Sequence, residues 1–326
     1  MTSKAGINLT EADVELSEVV FDTFDGGSIT LEEASEADIL RLLDAIPPID
    51  DPVYEAGADT VDMNDADLVI GYEGADGSAW AYPHRILNFH EIVNDDIGGL
   101  PVLITYCPLC RSGVVFDRRI NDLRHDGVLT FGNSSALFEN DLVLVDRETN
   151  SYWWQLAGRS IVGDLSGAEL PALPSVTTTW AQWLADHPDT QLLSHDQGFG
   201  RDYSNDPFVT YGERVDAGRV PFPVSPDAFD DDRLSQSTRI IGFDAIIDGE
   251  AVPHAVAVLA NEPIDVPVEA DPSLIVRLDG NGGGEVLSIE EGPDGTELEV
   301  PYPSRSSFWF AFVAINEGTE VVLVAP

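Results

Sequence analysis

The sequence predicts a mainly β protein, a β-rich α+β fold in which two internally duplicated copies pack as one compact body with short helices. Three observations predict it. Short apolar runs alternate with Gly- and Asp-containing turns, as in LVIGYE, GADG, SAWAYP over residues 68–83. Helical patterning is confined to brief stretches that stop near Pro or Gly. Residues 67–84, DLVIGYEGADGSAWAYPH, are echoed by residues 239–254, RIIGFDAIIDGEAVPH, with Gly71 answering Gly242 and Pro83 answering Pro253.

The elements follow in order. Residues 1–60 read as an N-terminal extension with one helix, in TLEEASEADILRLLDAIPP, where Thr30 and Glu33 form a capping box and Leu40, Leu43 and Ile46 an apolar stripe. The body runs over 61–326, with copy one at 61–196, an irregular excursion at 197–236 and copy two at 237–326. After the hairpin at 68–83, Pro83 opens a second helix through HRILNFHEIVND, which DIGG ends. PVLITY and RSGVVFDRR read as strands on either side of the turn at 107–110. VLTFGNSSALFENDLVLVDRETNSYWWQLAG reads as strand, turn, strand, turn, strand, and TTTWAQWLADHP as a short capped helix with Trp180, Trp183 and Leu184 inward. PVLITYCPLCRSGVVFDR aligns with SLIVRLDGNGGGEVLSIEE of the second copy, which lacks cysteine. The Gly-, Pro- and Asp-rich excursion has the length of a lid, a binding wall or a disordered segment.

Charge is the extreme feature of the composition. Asp and Glu number 59 against 16 Lys and Arg, a formal net charge of -43. Six Trp, eight Tyr and 14 Phe, with 43% hydrophobic residues, argue for a packed core rather than disorder. The acids are spread along the chain, as on a folded surface working in molar salt, where the Debye length shrinks to roughly 3 Å. This predicts a halophilic, haloarchaeal-type cytoplasmic protein. Such a surface repels nucleic acid and anionic membranes, and no apolar run is long enough to span a bilayer. The partner expected is a small molecule or a protein.

The chain has two cysteines, and both lie in YCPLC, as Cys107 and Cys110. A C-x-x-C pair closes too small a loop to staple the fold. It can ligate a soft or borderline metal, cycle as a dithiol, or sit as two buried apolar thiols. In a thioredoxin the motif opens a helix. Here SGVVFDR reads as strand, the setting of a metal knuckle. His90, on the helix before the cysteine-bearing strand, is the candidate third ligand, for copper(I) as a two-sulfur, one-nitrogen set or for zinc with water added. The alternative for His90 is a core histidine held by a neighbouring polar group. His84, His125, His187 and His195 rank below it. Arg147, Trp153, Gln155, Arg201 and Tyr203 are candidates for an aromatic, guanidinium-bearing ligand pocket, against an Arg–carboxylate network that merely fixes turns. P-loop, dinucleotide-binding and nucleophile-elbow patterns are absent.

The combination of AYPHRILNFHEIVNDDIGGLPVLITYCPLCRSGVVFDR, FGNSSALFENDLVLVDRETNSYWWQLAG, WAQWLADHPDTQLLS, RDYSNDPFVTY and RLSQSTRIIGF resembles the DUF3179 family. The resemblance covers roughly residues 60 to 255 and carries no activity with it. Ser135 stands where the family commonly has glycine, and Gln236–Ser237 where it commonly has lysine. Function therefore reads as a metal-binding protein using Cys107, Cys110 and His90. The alternatives are a dithiol oxidoreductase using the two cysteines, or a noncatalytic ligand- or protein-binding module.

Overall fold

The structure is a computed structural model that describes residues 3–60 and 62–325. It is a strand-rich α+β fold with short helices, organised around two large mixed sheets and a third sheet that covers one of them. Across the first sheet run Val322–Val324, Glu250–Ala257, Arg239–Ile247, Arg305–Phe308, Ser112–Asp117, Leu100–Cys107 and Ile92–Ile97. Across the second run Ile264–Pro267, Leu274–Leu278, Gly284–Glu291, Val176–Thr179, Leu68–Glu73, Ala79–Pro83, Gln191–Leu193 and Tyr54–Ala56.

The two strand orders correspond over seven strands each, and Tyr54–Ala56 at the end of the second sheet has no counterpart. In each sheet an antiparallel hairpin is flanked by the two strands of a strand–helix–strand unit, the last of them parallel to its neighbour. Gly71 faces Val176 and Ala81, and Gly242 faces Arg305 and Ala255. Both glycines admit an aromatic ring of the packed helix. A Cβ would fall 2.3 Å from Trp183 at Gly71 and 2.1 Å from Phe312 at Gly242. The three strands that follow each hairpin join the opposite sheet, with Gly113 facing Ser306 and Gly284 facing Thr177. Pro83 and Pro253 are not counterparts, because Pro83 pairs with Val69 and Pro253 with Asp244. The first hairpin turns through residues 74–78 and the second through Asp248 and Gly249 alone, both at positive φ, so the sequence echo slips after the turn.

Two helices differ from expectation. The first spans Glu36–Leu42, with Ser35 and Asp38 forming its capping box, while Thr30 and Glu33 close a separate turn ahead of it. Ile39 and Leu42 are buried, and Leu40 and Leu43 point outward. The second spans His84–His90 only. Residues 92–97 form a strand instead, turned onto Leu100–Cys107 by Gly98 and Gly99, both at positive φ. A glycine pair of that kind favours a tight hairpin over a helix end.

The third sheet runs Arg159–Val162, Tyr152–Trp154, Asp141–Asp146, Phe131–Phe138, Val20–Asp22 and Ser28–Thr30, so residues before 31 supply two of its strands. Its inner face and the first sheet enclose a core that includes Phe116, Phe131, Leu142, Trp153, Phe310 and both cysteines. Among the described residues, no helix is long and apolar enough to cross a membrane.

Candidate functional site

The strand Leu100–Cys107 ends on the first cysteine, and a four-residue turn returns the chain at Ser112, which pairs with Cys107. Arg111 takes φ 48° to close that turn. Its geometry folds Cys110 back toward Cys107, and the backbone N–H of Phe308 fixes the loop by donating to the Cys110 carbonyl at 2.7 Å.

Opposite lies the tip of the hairpin formed by Phe131–Phe138 and Asp141–Asp146. Its two turn residues, Glu139 and Asn140, sit at φ 54° and 57°, the left-handed pair of a tight hairpin turn. The turn aims the Asn140 carbonyl at the Cys110 Sγ–H, which donates to it at 3.3 Å. It also delivers the next residue, Asp141, into the core. One ligand atom each from Cys107, Cys110 and Asp141 lies within 4.8 Å of the others, and all three residues are buried. Residues of the excursion pack over the tip: Asn140 donates to the Tyr211 hydroxyl at 3.1 Å, and the Ser225 N–H donates to Glu139 at 2.6 Å.

Asp141 Oδ2 accepts from the Leu156 N–H at 2.9 Å, whereas Oδ1 is buried and has no partner. Burial lifts the Asp141 carboxyl to about 6, against the hydrogen bonds that favour its ionised form. Burial likewise raises both thiols, Cys110 well above its ordinary value, with Asp141 adding to the rise. A second buried acid stands near them. Glu91 ends the His84–His90 helix at φ 60° and accepts from Asn133 Nδ2 at 2.6 Å. Burial pushes it up to about 8, and Asp141 is among the groups that raise it further. Both thiols and Glu91 therefore hold protons at neutral pH, and a cation would displace the thiol protons on binding.

His90 does not belong to this cluster. Its Nδ1 meets the Pro47 carbonyl at 2.7 Å, so Nδ1 carries the proton, and Nε2 accepts from the Tyr203 hydroxyl at 2.6 Å. Both ring nitrogens are spent, and the third group beside the thiols is Asp141 rather than a histidine. The residues expected to line a pocket are each engaged within the fold. Arg147 pairs with Asp50 at 2.7 Å and Asp44 at 3.2 Å. Trp153 is a core residue whose Nε1 donates to Asp146 at 2.8 Å. Gln155 is held between Ser112 and Thr105. Tyr203 binds His90, and the exposed Arg201 lies over the Phe89 ring. Ser135 takes φ 59° at the bulge of its hairpin, and it anchors that conformation by donating to the Leu42 carbonyl at 2.7 Å.

The model of the DUF3179 family, proteins of unknown function, matches residues 43–319. The chain belongs to that family. The curated proteins and the solved structures hold no match to it. In this DUF3179 protein the matched span contains Cys107, Cys110, Asp141 and Glu91. Asp141 and Glu91 escape sequence reasoning because 59 acidic residues hide two. The available signal is that Asp141 directly follows a turn asparagine and opens the strand DLVLVD, which is buried on both faces.

Proposed function

We propose that this protein binds a divalent metal ion through Cys107, Cys110 and Asp141, with zinc favoured over copper. The observation that carries the reading is the buried, unpartnered Oδ1 of Asp141 beside two free thiols. The two thiols are weak donors and leave the buried Oδ1 without a well-formed hydrogen bond. A cation supplies that partner and converts two proton-holding thiols and a carboxylate into ligands. Two thiolates alone would suit copper(I). The added hard oxygen shifts the set toward a borderline ion such as zinc. Three protein ligands leave one position of a tetrahedral site for water or substrate, and Lewis-acid chemistry is what a bound ion would supply there. The protein's own part is to seal the site from bulk water and to keep the Glu91 carboxyl protonated nearby.

A second reading keeps the two sulfurs as a redox dithiol, favoured by their close approach on one turn. Burial and the raised thiols weigh against it, since exchange needs an accessible thiolate. The matching strand orders of the two large sheets support internal duplication, one copy having kept the cysteine turn. The dispersed acids support a halophilic surface, and the free thiols fit a reducing cytoplasm.

The test is elemental analysis of protein purified in high salt without an affinity metal, reconstituted under reducing conditions. Wild type and His90→Ala should hold stoichiometric metal. Cys107→Ser, Cys110→Ser and Asp141→Asn should weaken binding by roughly tenfold or more. Metal-free wild type would overturn the metal reading, and reversible disulfide exchange in that same sample would establish the dithiol one.

A further inference from the structure

Strand pleating sends neighbours to opposite faces. Cys107 enters the core against the third sheet, and Tyr106 enters the separate core between the two large sheets. On the Tyr106 side lies an unusual group of polar side chains. His84 packs against the Tyr106 ring with centroids 4.4 Å apart. It is buried, and neither Nδ1 nor Nε2 has a partner. Asn88 lies one turn further along the same helix, and its Oδ1 is also unpartnered. Its Nδ2 donates to Asp206 at 3.2 Å. A buried imidazole with both nitrogens idle is costly in any fold. His90, on the same helix, has both engaged.

Two guanidinium groups act on His84. Arg111, from the cysteine turn, donates to the Tyr106 hydroxyl at 3.3 Å, to Asp206 at 3.1 Å and to the Phe208 carbonyl at 2.7 Å. Arg239 is half-buried and, among the described residues, its side chain makes no ion pair and no hydrogen bond. It starts the strand paired with Phe308, whose N–H holds the cysteine turn. The turn carrying Gly282 borders its guanidinium, since a Cβ there would lie 2.4 Å from Nη2. The acids facing this group are Asp206, engaged by Arg111, and Asp279. Asp279 takes its bonds from Thr178, Asn281 and Gly283 rather than from Arg239. Burial depresses the His84 imidazole most, with Arg111 and Arg239 adding to it, and burial likewise depresses Arg239, with Arg111 adding a smaller share.

In a chain with 59 acidic residues against 16 basic ones, a half-buried arginine left without a carboxylate beside a second arginine calls for an explanation. We propose that His84, Arg111 and Arg239 form a binding site for the oxyanion group of a small molecule, a carboxylate or a phosphate. The anion would give Arg239 a charge-assisted partner, offset the repulsion between the two guanidinium groups and accept from the His84 N–H. The site lies on the opposite face of the cysteine-bearing strand from the thiols and does not depend on them.

The test uses the full chain at fixed ionic strength in chloride, with inorganic phosphate and acetate as separate probes. Imidazole signals of wild type, with His84 assigned from His84→Gln, should shift saturably with one of the two, which also tells phosphate from carboxylate. By calorimetry, Arg239→Gln should weaken binding by about tenfold or more. The exposed Arg41→Gln and the thiol variant Cys107→Ser should bind as wild type does, whatever the metal content. The proposal is overturned if the His84 signals stay fixed with both probes, or if Arg239→Gln binds like Arg41→Gln.

Discussion

The Sγ–H of Cys110 donates to the carbonyl of Asn140 at 3.3 Å, joining the cysteine turn to the tip of the hairpin that carries Asp141. That contact depends on Asn140 holding φ 57°. Asn140→Ala should cost roughly 1–2 kcal/mol for the left-handed backbone, plus its bond to Tyr211, and should lower metal affinity. Asn140→Gly should recover the backbone share. Denaturant unfolding with metal titration checks this, and an alanine variant indistinguishable from wild type in both would count against the coupling of turn and tip.

His90 and Tyr203 should behave as a structural pair. His90→Ala, Tyr203→Phe and the double variant should show a coupling energy of about 0.5–3 kcal/mol in unfolding experiments. Metal content should stay at the wild-type level throughout. Loss of metal in His90→Ala alone would restore histidine to the ligand set.

Glu91 gives the metal-stripped protein a pH signature. Its carboxyl is raised from an ordinary value of 4.5 to about 8 in the folded state. Between those values the folded protein holds a proton that the unfolded chain has released, so stability declines as pH rises. The contribution is whole below the unfolded value and lost as pH passes through the folded one. Glu91→Gln should flatten the slope, with a difference from wild type of a few kcal/mol, on the order expected for a buried carboxyl. Parallel stability–pH curves for the two proteins would refute the assignment.

Gly71 and Gly242 should be equally intolerant of a side chain. Each substitution to alanine drives a methyl into the ring of Trp183 or Phe312 and should cost roughly 1–3 kcal/mol. Melting temperatures of the two variants test this, and a neutral result at either position would remove the argument for close helix approach there.

The acidic surface should make folding depend on salt. As salt falls from molar to low millimolar, repulsion among the carboxylates is unscreened and the melting temperature should drop. Circular dichroism across that range decides it. Identical cooperative transitions at both extremes would rule out the halophilic reading.

Patterns that are local in the chain were legible without coordinates. The hairpins at 68–83 and 239–257, the strand–turn–strand setting of Cys107 and Cys110, and the Trp180 helix all follow from turn residues and apolar runs within a short window. The echo between Gly71 and Gly242 was legible too, because each must admit an aromatic ring. The partners of the cysteines were not. Asp141 lies 31 residues beyond Cys110. It reaches the thiols only because Asn140 turns a hairpin from a different sheet against them. His90 is near in sequence, yet Glu91 ends its helix in a left-handed turn and the ring faces Pro47 and Tyr203 instead. The crossing of the three strands after each hairpin into the opposite sheet was likewise invisible, since hydrogen-bond pairing between distant strands leaves no periodicity in either. Sequence determined the local hairpins and where the two thiols sit. Tertiary packing decided which carboxylate, out of 59 acidic residues, was driven from water to meet them.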